Sequence, residues 1–326
     1  MSSPSLLRST GPTATVLALA ASAVLLVHLV QAQTGTTGLL VGLGLAVLPL
    51  PFVLTALTWL NQSARVPNRR IVLCLVWGSC AATTVAMLAN GWASDTLTAL
   101  QGSSRGETLG AEFASPLIEE SAKGAVLLLT MAPPLRRRGR AAGRTAGRTA
   151  GRSGAGTAPG TGPTALARAR LRHRAVAVGL VLGGFSACGF AFTENVLYLG
   201  RAFTDDQRQR LDSISLGLSP SLRDYDDTVH TFVLRALLSP FAHPLFTALT
   251  GLGLAIALTC RRRWLARIAG PLGLLAAVAL HGGWNAAAGL GTHDFLLVYA
   301  ALMVPCFAAL TGLALWAGAR PGRWSR

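Results

Sequence analysis

Pro116-Leu117-Ile118-Glu119-Glu120-Ser121-Ala122-Lys123 sets two adjacent carboxylates and a lysine inside a run, Glu112 to Met131, that is otherwise apolar enough to cross a bilayer. An ionisable side chain near mid-bilayer costs on the order of 2.5 to 3.5 kcal/mol even on lenient insertion scales, so such groups face a polar interior and act there. The fold therefore hinges on whether this run is a membrane helix. Composition says that it is: 51% of the 326 residues are hydrophobic and only 13% are charged. Several runs of about 18 to 25 residues are almost free of charge, the length that spans ~30 Å of hydrocarbon as a helix, and their lack of alternation excludes a barrel.

Eight such segments follow in order. They are Thr13 to Val30, Gly38 to Leu60 with Pro49 and Pro51 kinking it, Ile71 to Leu88, Glu112 to Met131, Arg174 to Leu199, Phe232 to Thr259, Ile268 to Leu290 and Phe295 to Ala317. The first reads as an uncleaved helix rather than a signal peptide ending at Val30-Gln31-Ala32, because its apolar stretch is long for one. The expected fold is an all-α polytopic bundle of about eight transmembrane helices. Residues 1–111 hold the first three, 112–290 the four that carry polar interruptions, and 291–326 the last helix with a basic tail.

The net charge of +16 comes from 29 basic residues, all arginine except Lys123. They gather in the gaps between apolar runs, which is a topology signal before it is a sign of nucleic acid. Asn61 to Arg70, Pro133 to Arg174, Arg261 to Arg267 and the tail are basic without acids, and the intervening gaps are neutral or acidic. The positive-inside rule then places both termini in the cytoplasm of a multi-pass cell-membrane protein. The Arg/Gly/Ala tract of 136–164 reads as a disordered cytoplasmic linker, its alternative role being contact with anionic lipid. Cys74, Cys80, Cys188, Cys260 and Cys306 show no CxxC spacing and read as small buried hydrophobes, neither a disulfide framework nor a zinc finger.

Three other segments are interrupted as the fourth is: by Glu194-Asn195, by His243, and by His281 with Asn285. At about 1.5 Å per residue the interruptions all fall in the outer half of the bilayer, although the helices alternate in direction. They can therefore share one cavity. A carboxylate in a partly dry cavity can take a proton from water, and a second beside it strengthens the effect. Histidine assists attack or departure, and an Asn amide can hydrogen-bond a developing oxyanion. Lys123 shares a helix face with Glu119 and with Glu120 and offsets their charge. His243, His281 and Glu120 are the alternative: a zinc ligand set, without HExxH spacing. Single polar residues such as His28, Thr83, Thr84 and Ser186 read as interhelical hydrogen bonds, the glycines of Gly179 to Gly189 as close-packing positions, and Arg235 as a side chain snorkelling to the interface.

The ordered set Glu119-Glu120-x-x-Lys123, Phe190-x-x-x-Glu194-Asn195, His243-Pro244-x-Phe246-Thr247 and His281-x-x-Trp284-Asn285 resembles the PrsW family of intramembrane proteases, itself similar to the CAAX-type prenyl-protease and Abi group. The resemblance implies an endopeptidase that cleaves a membrane-spanning protein, an anti-sigma factor among the candidates, near its outer side. It implies that Glu119 or Glu120 is a general base, that His243 and His281 assist and that Asn285 holds the oxyanion, with Lys123 and Asn195 supporting. Glu194 stands where the CAAX group has histidine. No cofactor is expected if glutamate activates the water; zinc is the metallo alternative. A transporter or proton relay using the same residues is the reading from a different class.

Overall fold

The computed structural model describes residues 6–131, 164–219, 221, 225–290 and 292–318; the Arg/Gly/Ala linker up to residue 163 and the basic tail of 319–326 lie outside them. Every regular element among the described residues is a helix. Helix α1 (Leu6–Val47) is two helices meeting at Gly35, whose φ of 66° and ψ of 176° suit only glycine. The first two expected segments are thus parted at Gly35. Pro49 and Pro51 do not kink a helix, as expected, but begin one: Pro49 caps α2 (Leu50–Ala64), and Pro51 lies in the first turn, where a missing N–H costs nothing.

Helix α3 (Asn68–Gln101) contains a π turn at Trp77–Ala82, and α4 (103–131) another at Gly110–Ala114. Gly102, at φ 83°, joins the two. Helix α5 (Thr164–Ser215) follows, then α6 (226–238), α7 (Ala242–Thr259), α8 (Arg263–Ala288) and α9 (292–318). The sixth expected segment is not continuous. It breaks at 239–241, before Pro244 in the first turn of α7, so His243 sits at a helix start rather than mid-helix.

Among the described residues, six helices are long and apolar enough to cross a membrane. The expected count of about eight is accordingly inexact: α1 counts once across Gly35, and α4, with Glu119, Glu120 and Lys123, is not among the six. Helix α5 is the axis of the bundle, its most apolar window 89% buried against 6% for α9. Its glycines explain how: a Cβ on Gly179 would strike the backbone of Gly251 in α7, and one on Gly189 the Leu75 carbonyl of α3. Small residues let membrane helices approach to backbone contact, and the dispersion gain replaces a hydrophobic effect that lipid does not provide. The periphery carries exposed Val24, Trp92, Leu128, Leu129 and Leu275, an apolar surface that a bilayer solvates.

Candidate active site

The i, i+3 and i+4 spacing on α4 puts both glutamates beside Lys123, whose Nζ lies 2.6 Å from Glu120 Oε1 and 3.6 Å from Glu119 Oε2. Glu120 and Lys123 have no exposed surface. Glu120 is fully engaged: besides Lys123, Thr247 Oγ1 donates to its Oε2 at 2.8 Å, and His281 Nδ1 lies 3.1 Å from its Oε1. Lys123 also lies 4.1 Å from the centre of the Phe190 ring, a favourable cation and ring-face contact.

The neighbours fix the histidine tautomers. Lys123 Nζ has only hydrogens to give, so His243 Nδ1 accepts at 3.1 Å, and His243 Nε2 donates to Glu194 Oε2 at 2.8 Å. His281 Nδ1 faces a carboxylate oxygen and donates, which leaves Nε2 with its lone pair 3.7 Å from Glu119 Oε2. The His281 ring is stacked on Phe246, with centroids 4.9 Å apart, and stands edge-on to His243. Asn90 of α3 donates to Glu119 Oε1 at 3.1 Å. Glu119 Oε2 is buried and has no hydrogen-bond partner among the described residues. A buried carboxylate oxygen without a hydrogen-bond partner and an imidazole lone pair 3.7 Å from it can jointly accept the two hydrogens of one water molecule.

Arg235 does not snorkel. It turns inward from α6, where Nη2 lies 2.6 Å from Glu194 Oε2 and Nε donates to Asn195 Oδ1 at 2.9 Å, with the guanidinium over the Tyr198 ring. The π turn Val233–Leu238 carries it, and such turns are frequent at functional sites. A cavity of about 20 Å³, room for about one water, lies against Asn195, Arg235 and His243. Glu119, Glu120, Lys123, Glu194, His243 and His281 thus form one cluster. Asn285 stands apart from it: half-buried, it donates through Nδ2 to the Ala111 carbonyl at 2.8 Å.

Sequence reading missed Asn90, Thr247 and Arg235 as site residues. The signal for Asn90 was a polar residue just past the expected end of the third segment; α3 in fact continues to Gln101. Thr84 and Ser186 do make interhelical bonds, to the carbonyls of Ser22 and Lys123, whereas Thr83 donates within its own helix, to Gly78.

Among the described residues, Glu119, His243 and His281 bring ligand atoms within 4.8 Å of one another; Glu120, named in the expected zinc set, has its oxygens bound elsewhere. Two imidazoles and a carboxylate are the donor types of catalytic zinc sites, and the partnerless Glu119 oxygen and His281 lone pair suit a metal. His243 suits it less, because both its nitrogens are engaged and the Lys123 ammonium stands against it.

A family model described as "PrsW family intramembrane metalloprotease" matches residues 66–310, most of the chain and the whole of this cluster. No curated protein and no solved structure matches it.

Proposed function

The chain belongs to the PrsW family of intramembrane proteases, and from that premise we propose that it hydrolyses a peptide bond of a membrane-spanning protein with Glu119 as the base that activates water. The observation that carries this reading is the Glu119 oxygen, buried without a hydrogen-bond partner and facing the His281 lone pair at 3.7 Å. The water donates one hydrogen to each. Glu119 takes its proton as the water oxygen bonds to the substrate carbonyl carbon, and the carbonyl electron pair moves to oxygen. When the C–N bond breaks, Glu119 returns the proton to the leaving nitrogen. Three carboxylates (Glu119, Glu120, Glu194) meet two cations (Lys123, Arg235), so gaining a proton brings the cluster to neutrality.

Lys123 offsets the developing oxyanion; Asn285, to which the family resemblance gives that role, is bonded instead to the Ala111 carbonyl. Glu194, held by Arg235, whose Nε is in turn fixed by Asn195 Oδ1, orients the ring of His243, which accepts from Lys123. We place the site towards the outer face of the cell membrane, with both termini cytoplasmic and the arginine-rich linker near anionic headgroups, from the arginine distribution. Membrane-spanning anti-sigma factors are the substrate class that the family resemblance implies.

A second reading is favoured by the cluster of Glu119, His243 and His281. These residues would hold zinc, which when bound supplies a Lewis acid that makes water a nucleophile at neutral pH. In it His243 gives up Lys123 or Glu194. The test of the first reading is cleavage of a single-span substrate in proteoliposomes. Glu119→Gln is expected to lose at least about 100-fold in rate while eluting from gel filtration as the wild type does. A rate within a few-fold of wild type would move the base elsewhere.

A further inference from the structure

An apolar groove of about 200 Å³ lies between α2, α5, α7 and α9. No charged side chain among the described residues lines it, and Thr311 supplies its one hydroxyl. Trp59 of α2 and Phe307 of α9, 53% and 45% exposed, stand at its mouth towards the bilayer. The groove adjoins the small cavity at His243 one helical turn at a time. On α2, Val53 lines the cavity and Leu57 the groove; on α5, Cys188 lines the cavity and Gly184 the groove. At the α6–α7 junction the two are one residue apart, with His243 facing the cavity and Pro244 the groove.

We propose that this groove receives the transmembrane segment of the substrate and leads its backbone past Pro244 to the catalytic cluster. The inference rests on the protease reading given above. Glu119 and His281 are only 5% and 2% exposed, so a peptide bond reaches them along a path through the protein rather than from open surface. The groove borders the small cavity that His243 lines, one residue from it at Pro244, lies among apolar helices, and matches an apolar segment in having no charge to satisfy. A lipid chain would need no such neighbour. The volume takes side chains from one face of a helix, and the other faces remain in lipid.

The test narrows the groove from two sides, with Ala56→Phe on α2 and Ala314→Phe on α9. Cleavage is measured on a reconstituted single-span substrate and on a short soluble peptide carrying the same scissile bond. For the spanning substrate KM is expected to rise at least about tenfold with kcat within about twofold, the signature of lost uniform binding, while the peptide is cleaved at the wild-type rate. Unchanged KM for the spanning substrate in both variants would overturn the proposal. A photo-crosslinking residue in place of Trp59 gives a readout independent of activity. Adducts with the substrate's transmembrane segment support the docking, and adducts with lipid alone overturn it. Failure of the wild type to cleave either substrate would sink the protease reading, with the crosslink still deciding the docking.

Discussion

Glu120 accepts hydrogen bonds from Lys123, Thr247 and His281, whereas its neighbour Glu119 keeps one buried oxygen without any. The two should therefore fail differently when neutralised. Glu120→Gln removes one partner of a buried ion pair, which costs about 3–5 kcal/mol in typical cases, and is expected to lower the thermal unfolding midpoint in detergent far more than Glu119→Gln. Arg235→Gln should leave Glu194 free to swing from His243 and lower kcat about tenfold or more with KM nearly unchanged; Arg235→Lys, which keeps the charge but not the two-pronged grip, should recover part of that loss. A KM effect of the same size would make Arg235 a binding residue instead. At this scale the sequence was legible where charge broke an apolar run, at Glu119, Glu120, Lys123, Glu194, His243 and His281. Asn90 and Arg235 escaped because a polar residue near the end of such a run looks the same whether it points to headgroups or to a neighbouring helix. Thr247 stood in the His243-Pro244-x-Phe246-Thr247 motif, but threonine is cheap in a membrane helix and its bond to Glu120 left no mark in the sequence.

Helix α5 works as an axis because Gly179 and Gly183 meet the backbone of α7 and Gly189 that of α3. Gly179→Leu is expected to drive α5 and α7 apart and to abolish folding, read as aggregation in gel filtration; normal elution and unfolding temperature would show that the contact yields cheaply. The apolar segments themselves were plain from length and hydropathy, and Pro244 in retrospect marks the start of α7. The π turns at Trp77–Ala82 and Val233–Leu238 had no comparable mark, since neither carries a proline or other residue that sets it apart from ordinary helix. Gly35 was hidden for a different reason: glycine is common in membrane helices, and only its φ of 66° distinguishes a break from a packing position.

At the scale of the whole molecule, three carboxylates, two cations and two histidines from α4, α5, α6, α7 and α8 are gathered inside a bundle whose exterior is apolar. Helices α2, α7 and α9 leave a groove beside that cluster, so chemistry and substrate passage are assigned to different surfaces of one bundle. The distinction between glutamate and metal chemistry rests on the facing Glu119 and His281 side chains, 3.7 Å apart, which offer acceptor atoms to a water or, together with His243, ligand atoms to a metal ion. The decisive measurement is the rate at which protein stripped of metal, verified by elemental analysis, cleaves a reconstituted single-span substrate, with wild type and Glu119→Gln compared side by side. We expect the stripped wild type to keep its full rate and Glu119→Gln to fall at least about 100-fold below it. A stripped wild type that is inactive and recovers with zinc, or a Glu119→Gln variant that keeps pace with it, would contradict glutamate activation of the water.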